Sequence, residues 1–265
     1  MHLKSNGRAI VLALMTAFLG LILHPERARA DDVPVIAAAA DLKFVVTEIA
    51  AAFAAETGMK VELAFGSTGT FATQIREGAP FQMYMAADES YVTALAAEGL
   101  TRDDGVLYAQ GRIVMMVPNG SPLRADGSLE SLKAALAAGT IRHFAIANPD
   151  HAPYGVRAME ALQHVGLWEA VQPKLVLGEN VAQAAQFATS GDAQGGIIAY
   201  SLALAPDVAK LGSYELIPAV WHEPLNQRMV LLKNAGPVAQ AFYQYLNTPA
   251  ARAIMKSYGF VLPEE

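Results

Sequence analysis

Short apolar runs alternate with amphipathic segments along nearly the whole chain after residue 32. The first run, residues 33–39, is continuously apolar, which is typical of a parallel strand buried on both faces. Apolar residues then recur at steps of three and four from Leu42 to Phe53, which places them on one face of a helix. Residues 59–65 alternate between apolar and mostly polar side chains, as a strand does. Repeated along the chain, this β-α-β-α order predicts an α/β fold with mostly parallel sheets and helices on both faces.

No linker rich in proline, glycine or serine separates two sequential domains. We therefore expect two α/β lobes between which the chain crosses more than once, near residues 111–120 and 221–229. On this basis residues 31–112 and 228–265 form lobe I, and residues 113–227 form lobe II.

The first thirty residues have the pattern of a secretory signal peptide. Lys4 and Arg8 precede the apolar stretch 9–23, and the small-x-small motif 28–30 ends the segment. Fifteen apolar residues are fewer than the roughly 20 that a membrane-spanning helix needs. We predict cleavage before Asp31, a periplasmic mature protein and no membrane insertion after cleavage.

Charge and cysteine content exclude several classes of function. The predicted mature chain keeps 15 basic and 24 acidic residues, a net charge of −9, which argues against nucleic acid and anionic membranes as partners. The absence of cysteine excludes thiolate catalysis and cysteine-metal sites.

The usual signatures of enzymes are missing as well. Residues 190–196 do not form the G-x-S-x-G turn of a hydrolase nucleophile, and residues 66–71 lack the lysine of a phosphate-binding P-loop. The six histidines are scattered without metal-ligand spacing. We predict a protein that is not an enzyme and holds neither metal nor cofactor; a secreted α/β hydrolytic enzyme and a sensor lobe feeding a regulator are the alternatives.

Three turns, at 39–41, 66–69 and 152–155, place small or hydroxyl-bearing residues just before predicted helices. In α/β sheets ligands bind at the carboxyl ends of strands, and helix starts offer unpaired N–H groups and partial positive charge. Ser67, Thr68 and Tyr154 add hydroxyl donors, so the turns together suit a small anion. Taken singly, a serine or threonine here also fits a helix cap, and the tyrosine fits simple packing.

Five segments, in this order, resemble the periplasmic molybdate-binding proteins of ABC importers. They are 37-AAAADLKFVVTEIAAAFAAETG-58, 65-FGSTGTFATQIREGAPFQMYMAADESYVTALAAEG-99, 148-NPDHAPYG-155, 195-GGIIAYS-201 and 242-FYQYLNTPAARAIMKSYGF-260. The resemblance implies a type II periplasmic-binding-protein fold, two lobes around a cleft that closes on the anion. It also implies molybdate as ligand, with tungstate binding alike, held by hydroxyls and backbone N–H groups, and delivery by a monomer to a membrane permease.

The resemblance also carries over the family's site, position by position. Its first-helix serine falls on Asp41, and its second serine falls on Thr68 with Ser67 adjacent. Backbone donors fall on Tyr154 and Val181. A tyrosine that some members have in the fourth segment would fall on Ala199, one residue before Tyr200.

Asp41 departs from the family pattern, because an ionised carboxylate only accepts hydrogen bonds and repels a dianion. Either its side chain turns back to cap its own helix, or the site prefers a different or a protonated ligand. Sulfate, phosphate and organic anions are therefore the alternative ligands.

Overall fold

The structure, a computed structural model, describes residues 33–263. The predicted signal peptide, residues 1–30, lies outside the described residues. Within the described part of the chain, no helix is both long and apolar enough to cross a bilayer.

Residues 33–263 form ten strands and eleven α-helices. The strands are β1 (Val35–Ala39), β2 (Glu62–Gly66), β3 (Met83–Ala86), β4 (Val106–Gly111), β5 (Ile113–Pro118), β6 (Phe144–Ala147), β7 (Leu175–Gly178), β8 (Gly196–Ala199), β9 (Gly212–Leu216) and β10 (Leu225–Leu231). The helices are α1 (Lys43–Thr57), α2 (Thr68–Arg76), α3 (Glu89–Ala97), α4 (Glu130–Ala137), α5 (Pro153–His164), α6 (Trp168–Val171), α7 (Val181–Ser190), α8 (Tyr200–Ala203), α9 (Pro206–Ala209), α10 (Pro237–Tyr245) and α11 (Pro249–Ser257). Short 3-10 helices lie at Ala40–Leu42, Gln172–Lys174 and Ala219–Trp221.

The strands form two five-stranded sheets with the same plan. The first sheet has the order β2-β1-β3-β10-β4, and the second has the order β7-β6-β8-β5-β9. In the first, β1 runs parallel to β2 and β3, whereas β10 is antiparallel to both of its neighbours. In the second, β6 is parallel to β7 and β8, and β5 is antiparallel to β8 and β9. Each sheet is therefore mixed, with a parallel half and an antiparallel half.

Helices cover both faces of the first sheet, as the sequence predicts. Ile36 and Ala38 of β1 pack in one cluster with Phe53 of α1. Ala37, between them, belongs to a second cluster with Phe71 of α2. Because successive side chains of a strand point to opposite faces, β1 has to be apolar at every position.

The chain crosses between the sheets at two places. Arg112 alone separates β4 from β5, and residues 217–224 separate β9 from β10. The division into lobes with the bounds given above stays a prediction. β10 begins at Leu225, three residues before the predicted start of the returning part of lobe I.

Several helix ends form where the sequence places them. Gly58 ends α1 with φ 74°, a conformation that glycine adopts without steric cost. The Asp88 side chain accepts from the Ser90 N–H, and that of Asn180 accepts from the N–H groups of Ala182 and Gln183. These caps fix the directions in which α3 and α7 leave their sheets.

Candidate functional site

A cavity lies between the two sheets, at the carboxyl ends of their parallel strands. Its volume is about 10 Å³, so its walls lie close together. It is lined by Ala39, Ala40, Asp41, Gly66, Ser67, Thr68, Ala87, Ala152, Pro153, Tyr154, Asn180 and Val181. All five residues predicted to bind an anion, namely Asp41, Ser67, Thr68, Tyr154 and Val181, are in this lining. The structure therefore brings them together, while their contact with a ligand stays a prediction.

Four helices begin at this cavity. The 3-10 helix at Ala40 and α2 at Thr68 come from the first sheet, and α5 at Pro153 and α7 at Val181 come from the second. The N–H groups in the first turn of a helix have no partner within it, and the helix dipole makes that end partly positive. The lining consequently combines donors and positive potential from two opposite sides.

Ser67 and Thr68 are buried at the start of α2, and neither caps the helix through its side chain. The Thr68 hydroxyl oxygen accepts from the Ala87 N–H at 3.1 Å, which leaves its own proton available. The Ser67 hydroxyl donates to the His151 carbonyl oxygen at 2.5 Å. The Thr68 hydroxyl can thus donate to a ligand, whereas the Ser67 hydroxyl already donates to His151 on the opposite side of the cavity.

The same carbonyl of His151 also accepts from the Gly69 N–H at 2.9 Å. A Cβ on Gly69 would lie 2.7 Å from that oxygen, closer than two such atoms approach. The glycine therefore permits direct contact between α2 and the loop before α5, and that contact closes one side of the cavity.

α5 begins at Pro153, inside the turn 152–155 that the sequence places before this helix, so Tyr154 lies in its first turn. Pro153 occupies the first helical position, where its fixed φ suits the helix and its missing N–H costs nothing. The Tyr154 hydroxyl donates to Asp41 Oδ2 at 2.9 Å, so this side chain bridges the two sides of the cavity.

Val181 begins α7, directly after the capping residue Asn180. The Asn180 carboxamide oxygen accepts from Ala182 and Gln183 at 3.0 and 3.1 Å. It does not engage the N–H of Val181, which is left as a donor at the cavity wall.

Asp41 does not cap its own helix: the short helix at Ala40–Leu42 has no side-chain cap. Instead Asp41 Oδ2 accepts from Gln227 Nε2 at 2.7 Å and from the Tyr154 hydroxyl. Asp41 Oδ1 is buried and has no hydrogen-bond partner among the described residues. The capping alternative for this residue is thus wrong, because the side chain points into a buried polar network.

Burial raises the pKa of the Asp41 carboxyl from 3.8 to about 6, against the opposing effect of the hydrogen bonds from Gln227 and Tyr154. Burial likewise raises the pKa of Tyr154 and of Tyr108 well above 10. Both phenols therefore stay neutral, and Asp41 is the network's acid that titrates below neutral pH.

Sequence reasoning missed three members of this network. The Tyr108 hydroxyl donates to Gln227 Oε1 at 2.7 Å, which turns the Gln227 amide so that its NH₂ group meets Asp41. Ser201 donates to the Asp41 carbonyl at 2.8 Å. Gln227 lies at an irregularity in the pairing of β10 with β4, 186 residues from Asp41, so spacing along the sequence carries no sign of the contact.

The sequence also predicts a position for the family's tyrosine, at Ala199 next to Tyr200, and no metal site. Ala199 ends β8 and the Tyr200 ring packs against Tyr214, and neither residue is in the lining. Across residues 33–263, no group of three histidine, aspartate or glutamate side chains is placed to hold a metal ion.

Comparison with known proteins places the chain in a family. The profile of the bacterial extracellular solute-binding proteins matches residues 34–261. The molybdate-binding protein ModA of Rhodobacter capsulatus is 37% identical over 86% of this chain and 87% of its own. ModA of Azotobacter vinelandii is also 37% identical, over 95% of this chain and 98% of its own.

Solved structures agree with this placement. The periplasmic molybdate-binding protein of Azotobacter vinelandii superposes with a TM-score of 0.78 and 30% identity, covering 88% of this chain and all of that one. The match confirms the predicted α/β fold of periplasmic binding proteins. The chain belongs to the family of bacterial extracellular solute-binding proteins.

Proposed function

We propose that this protein is the molybdate-binding component of an ABC importer, binding tungstate alike and delivering the anion to a membrane permease. The observation that carries the proposal is the convergence of four helix starts, from two sheets, on one cavity. The ligand class comes from the relatives, which are named as molybdate-binding proteins and not as enzymes.

The chemistry of the lining supports a tetrahedral oxyanion. Apart from Asp41, the residues described in the lining are uncharged, so a bound anion would be stabilised by backbone N–H groups and helix dipoles. Thr68 would add a hydroxyl donor and Val181 a backbone donor, from opposite sides. Ser67 and Tyr154 would act mainly by holding the two sides together.

The proposal extends to the location of the protein, its oligomeric state, its cleavage site and the motion of its lobes. We propose a periplasmic monomer, cleaved after Ala30, in which residues 31–112 and 228–265 move against residues 113–227. The crossing at Arg112 would serve as one hinge, and the contacts of Ser67 and Tyr154 across the cleft would form as the lobes close.

Isothermal titration of the secreted, purified protein with molybdate, tungstate, sulfate and phosphate tests the proposal. We expect one-to-one binding of molybdate and tungstate and much weaker binding of the two smaller anions. The intact mass of the same preparation reports whether the chain begins at Asp31.

Binding of none of the four anions would contradict the proposed ligand class. Preference for sulfate or phosphate would keep the binding-protein function and reject molybdate. A matched control is Thr70→Ala: Thr70 neighbours the turn, but its hydroxyl contacts only the exposed Glu179 at 3.4 Å and it does not line the cavity.

A further inference from the structure

We propose that Asp41 enters the binding site as a neutral carboxylic acid, donating its Oδ1 proton to the bound oxyanion, so that the protein takes up one proton with each dianion. This inference rests on the proposed function. It gives a role in binding to Asp41, which stands where the resembling family has a serine.

The geometry leaves only one oxygen of the carboxyl free for a ligand. Oδ2 already accepts from Gln227 Nε2 and from the Tyr154 hydroxyl, at 2.7 and 2.9 Å. Oδ1 is buried without a partner, on a residue that lines the cavity and is 1% exposed. A proton on the carboxyl therefore belongs on Oδ1, and since Asp41 lines the cavity, we assign this proton to the contact with the bound anion.

The direction of the hydrogen bonds supports the same assignment. The Tyr108 hydroxyl fixes the Gln227 amide with its NH₂ group toward Asp41, and that group also donates to the Tyr154 oxygen at 3.1 Å. The Tyr154 proton is then directed at Asp41 Oδ2. Contacts with other residues thus fix the orientation of both groups that donate to Oδ2. A proton on Oδ2 would have to displace one of these two donors.

Gly111 is what lets these side chains meet. A Cβ at this position would clash with the Tyr154 hydroxyl and lie 2.9 Å from Gln227 Nε2. The network is therefore built against the backbone of the residue that precedes the Arg112 crossing. The protonation of Asp41 would accordingly be linked to the closed arrangement of the cleft.

Electrostatics favours the neutral form once the anion is bound. An ionised Asp41 would put a negative charge and an unpaired buried oxygen next to a dianion in a cavity with no cationic side chain in its described lining. Burial, against the opposing effect of the hydrogen bonds from Gln227 and Tyr154, already raises the pKa of Asp41 to about 6. A dianion beside it raises this pKa further, because a like charge disfavours ionisation.

Other titratable side chains lie near the cavity and have to be distinguished from Asp41 as the group that binds the proton. Tyr108 and Tyr154 contact the network, and burial raises the pKa of each well above 10, so both stay protonated with or without ligand. His151 contacts Ser67 Oγ at 2.9 Å through Nδ1 and lies 3.6 Å from Glu179 through Nε2. Because His151 contacts a residue of the cavity lining, it has a control variant of its own. Lys43, two residues after Asp41, is exposed.

The test counts protons during titration of the whole secreted protein with molybdate and with tungstate. Titrations at about pH 7.5 in two buffers of different ionisation enthalpy give the number of protons bound per anion, and we expect about one. We also expect the affinity to fall about tenfold per pH unit above about pH 7.5.

Asp41→Asn is the matched variant, because its amide offers an acceptor to Gln227 and a permanent donor to the ligand. We expect it to bind the anion with no proton uptake and with an affinity independent of pH. His151→Asn, whatever its affinity, should still take up about one proton. A proton carried by the anion itself would persist in Asp41→Asn and overturn the proposal.

Binding by the unaltered protein without proton uptake would overturn this inference and leave the proposed function intact. Absence of binding in both the unaltered protein and Asp41→Asn would overturn the proposed function and the inference with it. The proton count is made on the unaltered protein, so a variant that fails to fold does not prevent the decision.

Discussion

The two walls of the cavity are built from different chemistry. On the side of the first sheet, Asp41, Ser67 and Thr68 present side-chain oxygens, and all of these except Asp41 Oδ1 are already in a hydrogen bond within the protein. On the side of the second sheet, Val181 presents a backbone N–H, and the Tyr154 side chain reaches across to Asp41. The donors and acceptors of the first wall can therefore be altered by ordinary substitutions, whereas the backbone donor of the second wall is altered only by changing the backbone or its cap.

This difference determines what each wall contributes. Backbone donors at helix starts are fixed in place and carry no ionisable group, so the second wall supplies constant positive potential. The first wall contains the Asp41 carboxyl, so the charge of this wall changes with pH. The predictions below test this division, starting with the largest expected effect.

The largest effect should come from the buried acid of the first wall. Because burial raises the Asp41 pKa from 3.8 to about 6, the folded protein binds this proton more tightly than the unfolded chain. The stabilisation is present at low pH and is lost as pH rises from about 4 through about 6, a change of about 3 kcal/mol. Urea unfolding of the ligand-free protein and of Asp41→Asn, compared across this range, should show that pH dependence only in the former. Parallel curves would mean that Asp41 does not titrate as its burial indicates.

The second wall should respond to loss of a single backbone donor. Val181→Pro removes the N–H at the first position of α7, where proline is accommodated and where the extended Asn180 (φ −150°, ψ 175°) suits a following proline. Loss of a hydrogen bond to a charged ligand should weaken oxyanion binding by about 1.5–3 kcal/mol, roughly tenfold or more. Titration calorimetry measures this, with Val181→Ala as the control that keeps the N–H. Equal affinity of the two variants would remove Val181 from the site.

A smaller effect is expected for the free hydroxyl of the first wall. Thr68→Val keeps the shape and deletes the proton that we assign to the ligand, so binding should weaken about tenfold, or about 1.4 kcal/mol. Thr68→Ser keeps the hydroxyl and serves as the control in the same titration. The Ala87 N–H also loses its acceptor, so thermal unfolding of both variants should be compared. If Thr68→Val and Thr68→Ser lowered the anion affinity equally, the effect would come from lost packing and not from a lost hydrogen bond to the ligand.

The smallest effect should lie at the rim, where the two sides meet in solvent. Glu179 is 62% exposed and contacts His151 at 3.6 Å and Thr70 at 3.4 Å. Exposed ion pairs contribute little, so Glu179→Gln should change the binding free energy by less than about 0.5 kcal/mol. A much larger change in titration calorimetry would show that rim charge, and not the buried walls, controls closure.

Much of the architecture follows from local patterns. The continuous apolar run of β1, the cap at Asn180 and the glycine after α1 each have a physical cause within a few residues, and the structure has all three. α5 begins at Pro153, earlier than the sequence predicts, because apolar spacing is weak in 153–155; the proline there is the better signal. The mixed pairing of both sheets arises from β5 and β10, which the pattern of apolar residues does not orient.

Part of the candidate site could also be predicted from patterns within a few residues of each position. Residues at the starts of helices, such as Thr68 and Val181, carry a local signal. Gln227 and Tyr108 do not, because their role depends on strand register and on an irregularity between β10 and β4. The direction of the Asp41 side chain depends on those two residues, so the sequence left open whether Asp41 caps its own helix or marks a site for a different or a protonated ligand.

The most direct test of the central claim is a crystal structure of the secreted protein with tungstate, located by the anomalous scattering of tungsten. We predict one anion in the cavity, with its oxygens about 2.7–3.2 Å from the Thr68 hydroxyl and from the Val181 backbone nitrogen, so that both walls contribute. An anion held by one wall alone, or bound outside this cavity, would contradict the account.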